Sequence, residues 1–429
     1  MENLMSLYSK KNTYRILAFL LFIILIIPAC SLLGGRRNKV PAIEMLVTNT
    51  LPIKRTDEFV VLEVSKLREF APDFTPDAFV IVEKGSNQEV PNQIDDMDND
   101  GVADQLAMIL NMEPGERKTI EIRYAPEGRS VKLGYDKRTR AAIHPEYEGL
   151  GWESELIAYR LYPDHRNSIG VFGKQNPGLS LDKFAASVKN EGYNKLEAWG
   201  VSVLEGGKLL GCGGFGLWNQ GELLFPLNPG ANEDSRVAHY TRIIADGPVR
   251  SIVQTIYDRW QVDGENLKVT ANYSIFAGQR WTRVDVDIEG SDNPVKIGAG
   301  LISSKSVEMV KDEEDGFMYT WGVQSHREKP DELGMALIYP TENLDSIKNN
   351  HNSGAHLAVL NPGADNEIVY WFLAAWSSGE LGMKSEREFT QLVSSTANNL
   401  ENPLTVTIMP SKDDAGKKNE GENQNSEQN

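Results

Sequence analysis

Between His144 and Lys174 aromatic rings alternate densely with ionic side chains. The runs are Trp152-Glu153-Ser154-Glu155, Tyr159-Arg160-Leu161-Tyr162, Asp164-His165-Arg166 and Phe172-Gly173-Lys174. If Tyr159 to Tyr162 is extended, Arg160 and Tyr162 share one face and Tyr159 takes the other, because side chains alternate along a strand. Arg160, Arg166 and Lys174 could then form a basic pocket inside an acidic protein. A guanidinium fork takes a carboxylate in bidentate fashion, and a ring such as Trp152 offers a face to the apolar side of a sugar. The same residues serve equally well as cross-strand ion pairs and rim aromatics on a sheet.

A second pair able to move protons near neutral pH, His239 and Tyr240, stands in His239-Tyr240-Thr241-Arg242, just ahead of the turn Asp246-Gly247-Pro248. A lone strand histidine is more often structural, and His144, His326 and His356 are weaker candidates still. From Asp96 the run Asp-Met-Asp-Asn-Asp-Gly-Val-Ala-Asp puts the carboxylates of Asp96, Asp98, Asp100 and Asp104 around Gly101, which resembles the front half of a calcium loop. The twelfth position, where a bidentate Glu closes such a loop, is Ala107, and a polar hairpin turn accounts for the same residues without metal. No HExxH, GxSxG or phosphate-cradling glycine loop occurs, which weighs against metalloprotease, serine hydrolase and nucleotide chemistry.

Strands must position these groups. Runs rich in Val and Ile at Glu58–Lys66, Ala78–Lys84, Gln105–Met112 and Lys118–Tyr124, separated by Gly, Pro, Asn and Asp, predict a small sandwich over 43–133. Longer runs at Val249–Val262, Leu267–Phe276 and Trp281–Glu289, joined by Asp263-Gly264 and Ala277-Gly278, predict hairpins in a large antiparallel β-sandwich over 134–410, of the supersandwich kind. Further strands are expected at Gly334–Tyr339, Ala355–Leu360 and Ile368–Trp376, and Leu181–Lys189 is the one segment with helical periodicity. The fold class expected is all-β. Gly211-Cys212-Gly213-Gly214 reads as a tight strand bend with an inert thiol.

At the N-terminus Lys10, Lys11 and Arg15 precede an apolar run, Ile16 to Ala29, of about 14 residues, short of the roughly 20 that span a bilayer. Ile27-Pro28-Ala29-Cys30 resembles the lipobox of bacterial lipoproteins, so residues 1–30 are expected to act as a signal with lipid attached at Cys30, and 31–42 as a tether. Ser31 in place of an aspartate favours the periplasmic face of the outer membrane over the cell surface. The polar tail, 411–429, has no large apolar residue and is expected to stay unfolded. Cys212 is the one cysteine beyond Cys30, so stability must come from a core rather than a disulfide. A net charge of -17 weighs against nucleic acid as a partner.

Three segments, Gly151–Lys174 (GWESELIAYRLYPDHRNSIGVFGK), Trp199–Gly214 (WGVSVLEGGKLLGCGG) and Arg242–Arg250 (RIIADGPVR), resemble in that order the bacterial domain-of-unknown-function family 4861. The resemblance extends from about Asn49 to Val393 and includes PNQIDDMDNDGVADQLA. It implies a place in polysaccharide degradation, with action on oligosaccharides that carry uronic acid; some relatives resemble dehydratases that remove water from a terminal uronate and leave a conjugated double bond. Carried over, Arg160 or Arg166 would hold the carboxylate, and Tyr162, His239 or Tyr240 would move protons. Trp152, Glu155, Lys174 and Trp199 would complete the substrate-binding set. Where the family is expected to show Tyr-His-Glu, this chain has Tyr193-Asn194-Lys195, which leaves Tyr193 as a catalytic candidate and Lys195 as a substitute base. No cofactor is expected beyond the candidate calcium ion. A glycan-binding lipoprotein without catalysis is the alternative reading, and the sequence leaves the oligomeric state open.

Overall fold

A computed structural model describes residues 40–126, 134–144, 149–162, 167–183, 195–204, 210–226, 238–324, 331–349, 351–363 and 367–409. Antiparallel sheets dominate them, as the alternating patterns predict.

The N-terminal sandwich stacks two sheets. One orders its strands Thr405–Met409, Ala42–Thr48, Arg117–Tyr124, Phe79–Glu83; the other runs Arg55–Glu63, Gln105–Met112, Asn92–Asp95. Alternation sets the facing: Ile43, Met45 and Val47 point inward with Ile120 and Ile122, against Val60, Leu106 and Met108. Gln105–Met112 is buried almost throughout because both of its faces are covered. Ala107 packs on Phe276 and Trp281, and Ile109 on Val249 and Ala277, so this strand joins the small sandwich to the large one.

Two expectations are corrected here. Thr405–Met409, expected within the large sandwich, pairs instead with Ala42–Thr48, and Leu404 enters the small core. The chain expected to form one strand from Glu58 to Lys66 leaves the sheet after Glu63 and becomes a short helix, Val64–Phe70, whose Val64 and Leu67 plug the sandwich.

In the large sandwich an eight-stranded sheet faces two five-stranded sheets. The first of these runs Gly200–Leu204, Ser168–Lys174, Ala158–Tyr162, Gly149–Ser154, Thr139–His144. The second is built around Cys212–Asn219, Lys296–Ile302 and Ala355–Leu360, and the isolated bridge between Ile169 and Gly211 links the two. One core fills the space between, with Trp152, Tyr159, Leu161 and Val171 from the first sheet, Phe215 and Leu301 from the second, and Tyr257, Tyr273, Tyr370 and Phe372 from the eight-stranded sheet. The expected hairpin at Asp263-Gly264 is present: both residues have positive φ (49° and 88°), which suits the twist of a two-residue connection between Val262 and Glu265.

Helix is scarce. Leu181–Lys183 is helical, and residues 184–189 of that expected element lie outside the described residues. Unforeseen is the helix Glu386–Glu401, which lays Phe389, Val393 and Ala397 on the outer face of the eight-stranded sheet.

Candidate functional site

Strand Ala158–Tyr162 divides its side chains as expected. Tyr159 points inward, its hydroxyl donating to Arg280 O at 2.5 Å and accepting from Ala374 N at 2.9 Å. Arg160 and Tyr162 point outward together, with the guanidinium carbon 4.3 Å from the centroid of the Tyr162 ring. Beneath them the outer face is pared down. Gly151 and Gly170 flank Arg160 in register, and a Cβ on Gly149 would stand 2.2 Å from Arg160 Nε. Glycine at 149 is therefore what lets a long cation, 7% exposed, lie flat on the sheet.

The rest of the sequence-derived pocket divides between site and scaffold. Trp152 is fully buried: its indole N–H donates to Thr282 Oγ1 at 2.9 Å and its ring packs on Tyr159 and Tyr273. It pairs across the ladder with inward-pointing Tyr159, so it belongs to the core and offers no stacking floor. Lys174 is also sealed off. Its ammonium binds Glu153 Oε2 at 2.5 Å, Ser154 O at 2.5 Å and Gly178 O at 2.7 Å. Burial pulls its pKa below the usual lysine range against the opposing pull of Glu153. Glu153 further accepts from Ser180 N, Ser180 Oγ and Leu181 N, so this pair clamps residues 178–181 and contributes nothing to a basic pocket. Glu155 accepts from Arg138 Nε at 2.8 Å and from Gly278 N at 3.0 Å, and Arg138 also grips Asp57 through both terminal nitrogens; Glu155 thus ties the two sandwiches together. Trp199 covers the lower outer face with Phe172, Leu181 and Ala158, its N–H donating to Glu197 at 3.1 Å. Arg166, Tyr193, Asn194 and Cys30 lie outside the described residues.

His239 and Tyr240 sit on the exposed edge strand Ala238–Asp246, Tyr240 with 62% of its surface open. They occupy opposite faces, His239 level with buried Tyr257 and Tyr240 with Ile256. His239 lies at the end of its strand away from Asp246, level with Tyr257, whose hydroxyl reaches Asn167 beside the Ser168–Tyr162 pair. Ala141 N donates to Asp246 Oδ1 at 3.0 Å and Thr139 Oγ1 to Gly247 O at 2.7 Å, so the edge strands of the two sheets meet at the Asp246 corner and both continue toward the other end. There residue 144 pairs with Gly149, and Tyr162 pairs with Ser168. The tie between the sheets is Asn167, which sequence reasoning missed: fully buried, with φ of 43°, it donates to Phe215 O at 2.7 Å and accepts the Tyr257 hydroxyl at 2.8 Å. The available signal was an Asn just ahead of an apolar strand, since Asn tolerates the left-handed region. His356 is buried against Asn349 Oδ1 at 2.7 Å, and burial lowers its pKa; it is structural.

In the Asp96–Asp104 loop, carboxylate oxygens of Asp96, Asp98 and Asp104 lie within 4.8 Å of one another, and these three residues could hold a cation. Calcium takes six to eight oxygens, and the loop's own backbone already uses much of this set. Asp96 accepts from the N–H groups of Asn99, Asp100 and Gly101, Asp100 accepts from Val102 N, and Asp104 from Met97 N. Desolvation pushes the Asp96 carboxyl up, but those three N–H donors outweigh it and hold the group below its ordinary range. Arg242 Nη1 reaches Asp98 O at 3.3 Å, tying the loop to the strand of His239.

Among known proteins, the chain is 22% identical to an uncharacterized protein, P7, of Formosa agariphila over 386 residues, 84% of this chain and 92% of that protein. Two solved structures from Enterococcus faecalis, a protein in glycosyl hydrolase family 38 and an alpha-mannosidase, align with TM-scores of 0.47 at 12% and 11% identity. Each alignment takes in 86% of this chain, which spans only 47% and 46% of theirs. The model of the family described as Domain of unknown function (DUF4861) matches residues 47–406, and the chain belongs to that family.

Proposed function

We propose that the protein is a carbohydrate-active enzyme that eliminates water, or a sugar, at the uronic acid end of an acidic oligosaccharide. One observation carries the reading: a guanidinium laid flat on glycine, beneath the Tyr162 ring, on a face that the core behind it holds rigid. Arg160 neutralises the uronate carboxylate by bidentate hydrogen bonds, which makes the hydrogen on the neighbouring carbon more acidic. Tyr162, on the same face, takes that proton as its phenolate and becomes the neutral phenol. As the carbon–oxygen bond to the leaving hydroxyl breaks, an acid returns a proton to it, and His239 at the same end is the candidate. The products are a double bond conjugated to the carboxylate and one water.

We further propose that lipid attachment at Cys30 holds the chain at the periplasmic face of the outer membrane, a reading supported by Lys10, Lys11, Arg15 and the apolar run that follows. Labelled palmitate incorporated by the parent chain but not by Cys30→Ala supports it; equal labelling refutes it.

The activity is tested by mixing the chain, begun after Arg37, with uronate-terminated oligosaccharides and following ultraviolet absorbance and mass. Absorbance gained with the mass of one water lost, abolished in Arg160→Gln and Tyr162→Phe, supports the dehydratase. A split chain without loss of water means a lyase. Binding without turnover, weakened by Arg160→Gln, makes the protein a glycan binder.

A further inference from the structure

Far from Arg160, on the outer face of the eight-stranded sheet, a trough of about 550 Å³ runs beside the helix Glu386–Glu401. Its helical wall is Thr390, Gln391, Ser394, Ser395 and Asn398, spaced to form one stripe that ends at Glu401. A solvent-facing stripe is ordinarily charged, yet from Phe389 to Leu400 this helix carries no ion, in a chain where 24% of residues are charged. Every position on the wall ahead of the terminal Glu401 is a neutral hydroxyl or amide.

The trough continues into a more enclosed cavity of about 220 Å³, with Asp315 and Glu401 bordering both. Trp371, Ile338, Pro340 and Leu400 give the cavity an apolar wall, while the Tyr339 ring packs in the core between the sheets. Glu342 joins Asp315 and Glu401 around it, and among the described residues none of the three forms an ion pair. Trp371 Nε1 is buried in that wall with no hydrogen-bond partner among the described residues. The nearby cation Arg283, 5.8 Å from the Trp371 ring, is neutralised by Asp285 at 2.6 Å.

We propose that this trough and its enclosed end bind a neutral oligosaccharide, one pyranose seated against Trp371 and the next units along the helix. At about 220 Å³ the cavity falls below the roughly 300–1,000 Å³ of drug-sized sites, which suits a single ring. Sugar hydroxyls donate to the three carboxylates and also accept from Gln391, Asn398 and the hydroxyl groups, while an apolar ring face meets the aromatic wall. An ammonium ligand has donors only and leaves the amide and indole N–H groups unanswered. A uronate or sulfate meets three like charges. The site therefore selects against the acidic ends that Arg160 is proposed to hold, and it does not rest on that reading.

The test titrates the full chain calorimetrically with tetrasaccharides of glucose, mannose, xylose and rhamnose, each alone, and with tetragalacturonate and spermidine, all at millimolar concentration. The expected result is binding of at least one neutral sugar, weakened about tenfold by Trp371→Ala and by Asn398→Arg, and unchanged by Arg160→Gln. Asn398 is exposed, so its variant keeps the fold even where Trp371→Ala loses it. Absence of neutral binding overturns the proposal, as does neutral binding indifferent to Asn398→Arg. Spermidine or tetragalacturonate bound in its place and displaced by Asn398→Arg overturns the ligand class.

Discussion

Gly149→Ala adds one methyl group and tests whether the position of Arg160 sets turnover. The new Cβ would stand 2.2 Å from Arg160 Nε and 2.9 Å from Cζ, where ordinary contact begins at 3.4 Å, so the guanidinium must retreat by about 1.2 Å. The backbone strand has little freedom to yield, because Leu150 and Leu161 on either side of this contact are buried in the core. The shift draws the cation off the Tyr162 ring, a contact worth about 0.5–2 kcal/mol. Overpacking of this size costs stability of about 1–3 kcal/mol, which a chain of this length tolerates. A misplacement of about 1 Å in a group that orients substrate lowers rates by roughly 10²-fold. The expected result is thus kcat/KM on uronate-terminated oligosaccharides down about a hundredfold, with circular dichroism unchanged and the melting point lower by a few degrees. A folded Gly149→Ala protein with parental kcat/KM would refute the assignment, since a displaced Arg160 could not then be holding the reacting end.

Three further outcomes follow from the scaffold. Lys174→Met leaves Glu153 charged and buried, so urea unfolding should show a loss of about 3–5 kcal/mol; adding Glu153→Leu restores only part of it, because Ser180 and Leu181 lose their acceptor. For Asp246, desolvation pushes the carboxyl up, but Lys137, Ala141 N and Arg140 outweigh it and leave the folded pKa below the unfolded one. Its contribution to stability is accordingly complete above the unfolded value of about 3.9 and fades as pH falls through the folded value, so Asp246→Asn should flatten that part of the acid limb. Ending the chain after Glu401 removes Leu404 and the strand Thr405–Met409; exchange of the Ala42–Thr48 amides that face it should rise sharply, and unchanged protection there would contradict the pairing.

The fold was legible wherever apolar residues alternated or turn residues stood between runs. Asp263-Gly264 announced its hairpin, and Arg117–Tyr124 showed its period of two. The helix Glu386–Glu401 was not legible from periodicity because Thr, Ser and Asn fill its middle, residues that read as loop; its one clear signal was Ser385 followed three positions on by Glu388, and Ser385 Oγ does accept the Glu388 N–H at 3.3 Å. Thr405–Met409 was misassigned because sequence order says nothing about which edge a returning strand finds. Within the site, alternation correctly separated Tyr159 from Arg160 and Tyr162, but residue type alone could not tell an ion pair from a pocket. Lys174 and Glu153 look identical in sequence whether they meet each other or a ligand, and only burial decides.

That division by parity explains how one motif can stabilise the core with one face and, on the proposed reading, hold substrate with the other. Gly149–Ser154 and Ala158–Tyr162 send Trp152, Tyr159 and Leu161 inward, where Trp152 is pinned to Thr282 and Tyr159 to Arg280 and Ala374 across the sandwich. Any tilt of the strand that moved Arg160 would have to break those buried hydrogen bonds, at about 1–3 kcal/mol for each group left unsatisfied. Rigidity of the outer face is thus supplied by the inner one, and Tyr159→Phe becomes a sharp probe. It removes one hydroxyl some distance from any substrate, yet it leaves Arg280 O and Ala374 N without a partner directly behind Arg160. If the core does set the guanidinium, Tyr159→Phe should lower kcat more than it raises KM, with a loss of stability of about 1–3 kcal/mol. A variant destabilised to that extent but with unchanged kcat would show that Arg160 is held from the outer face alone.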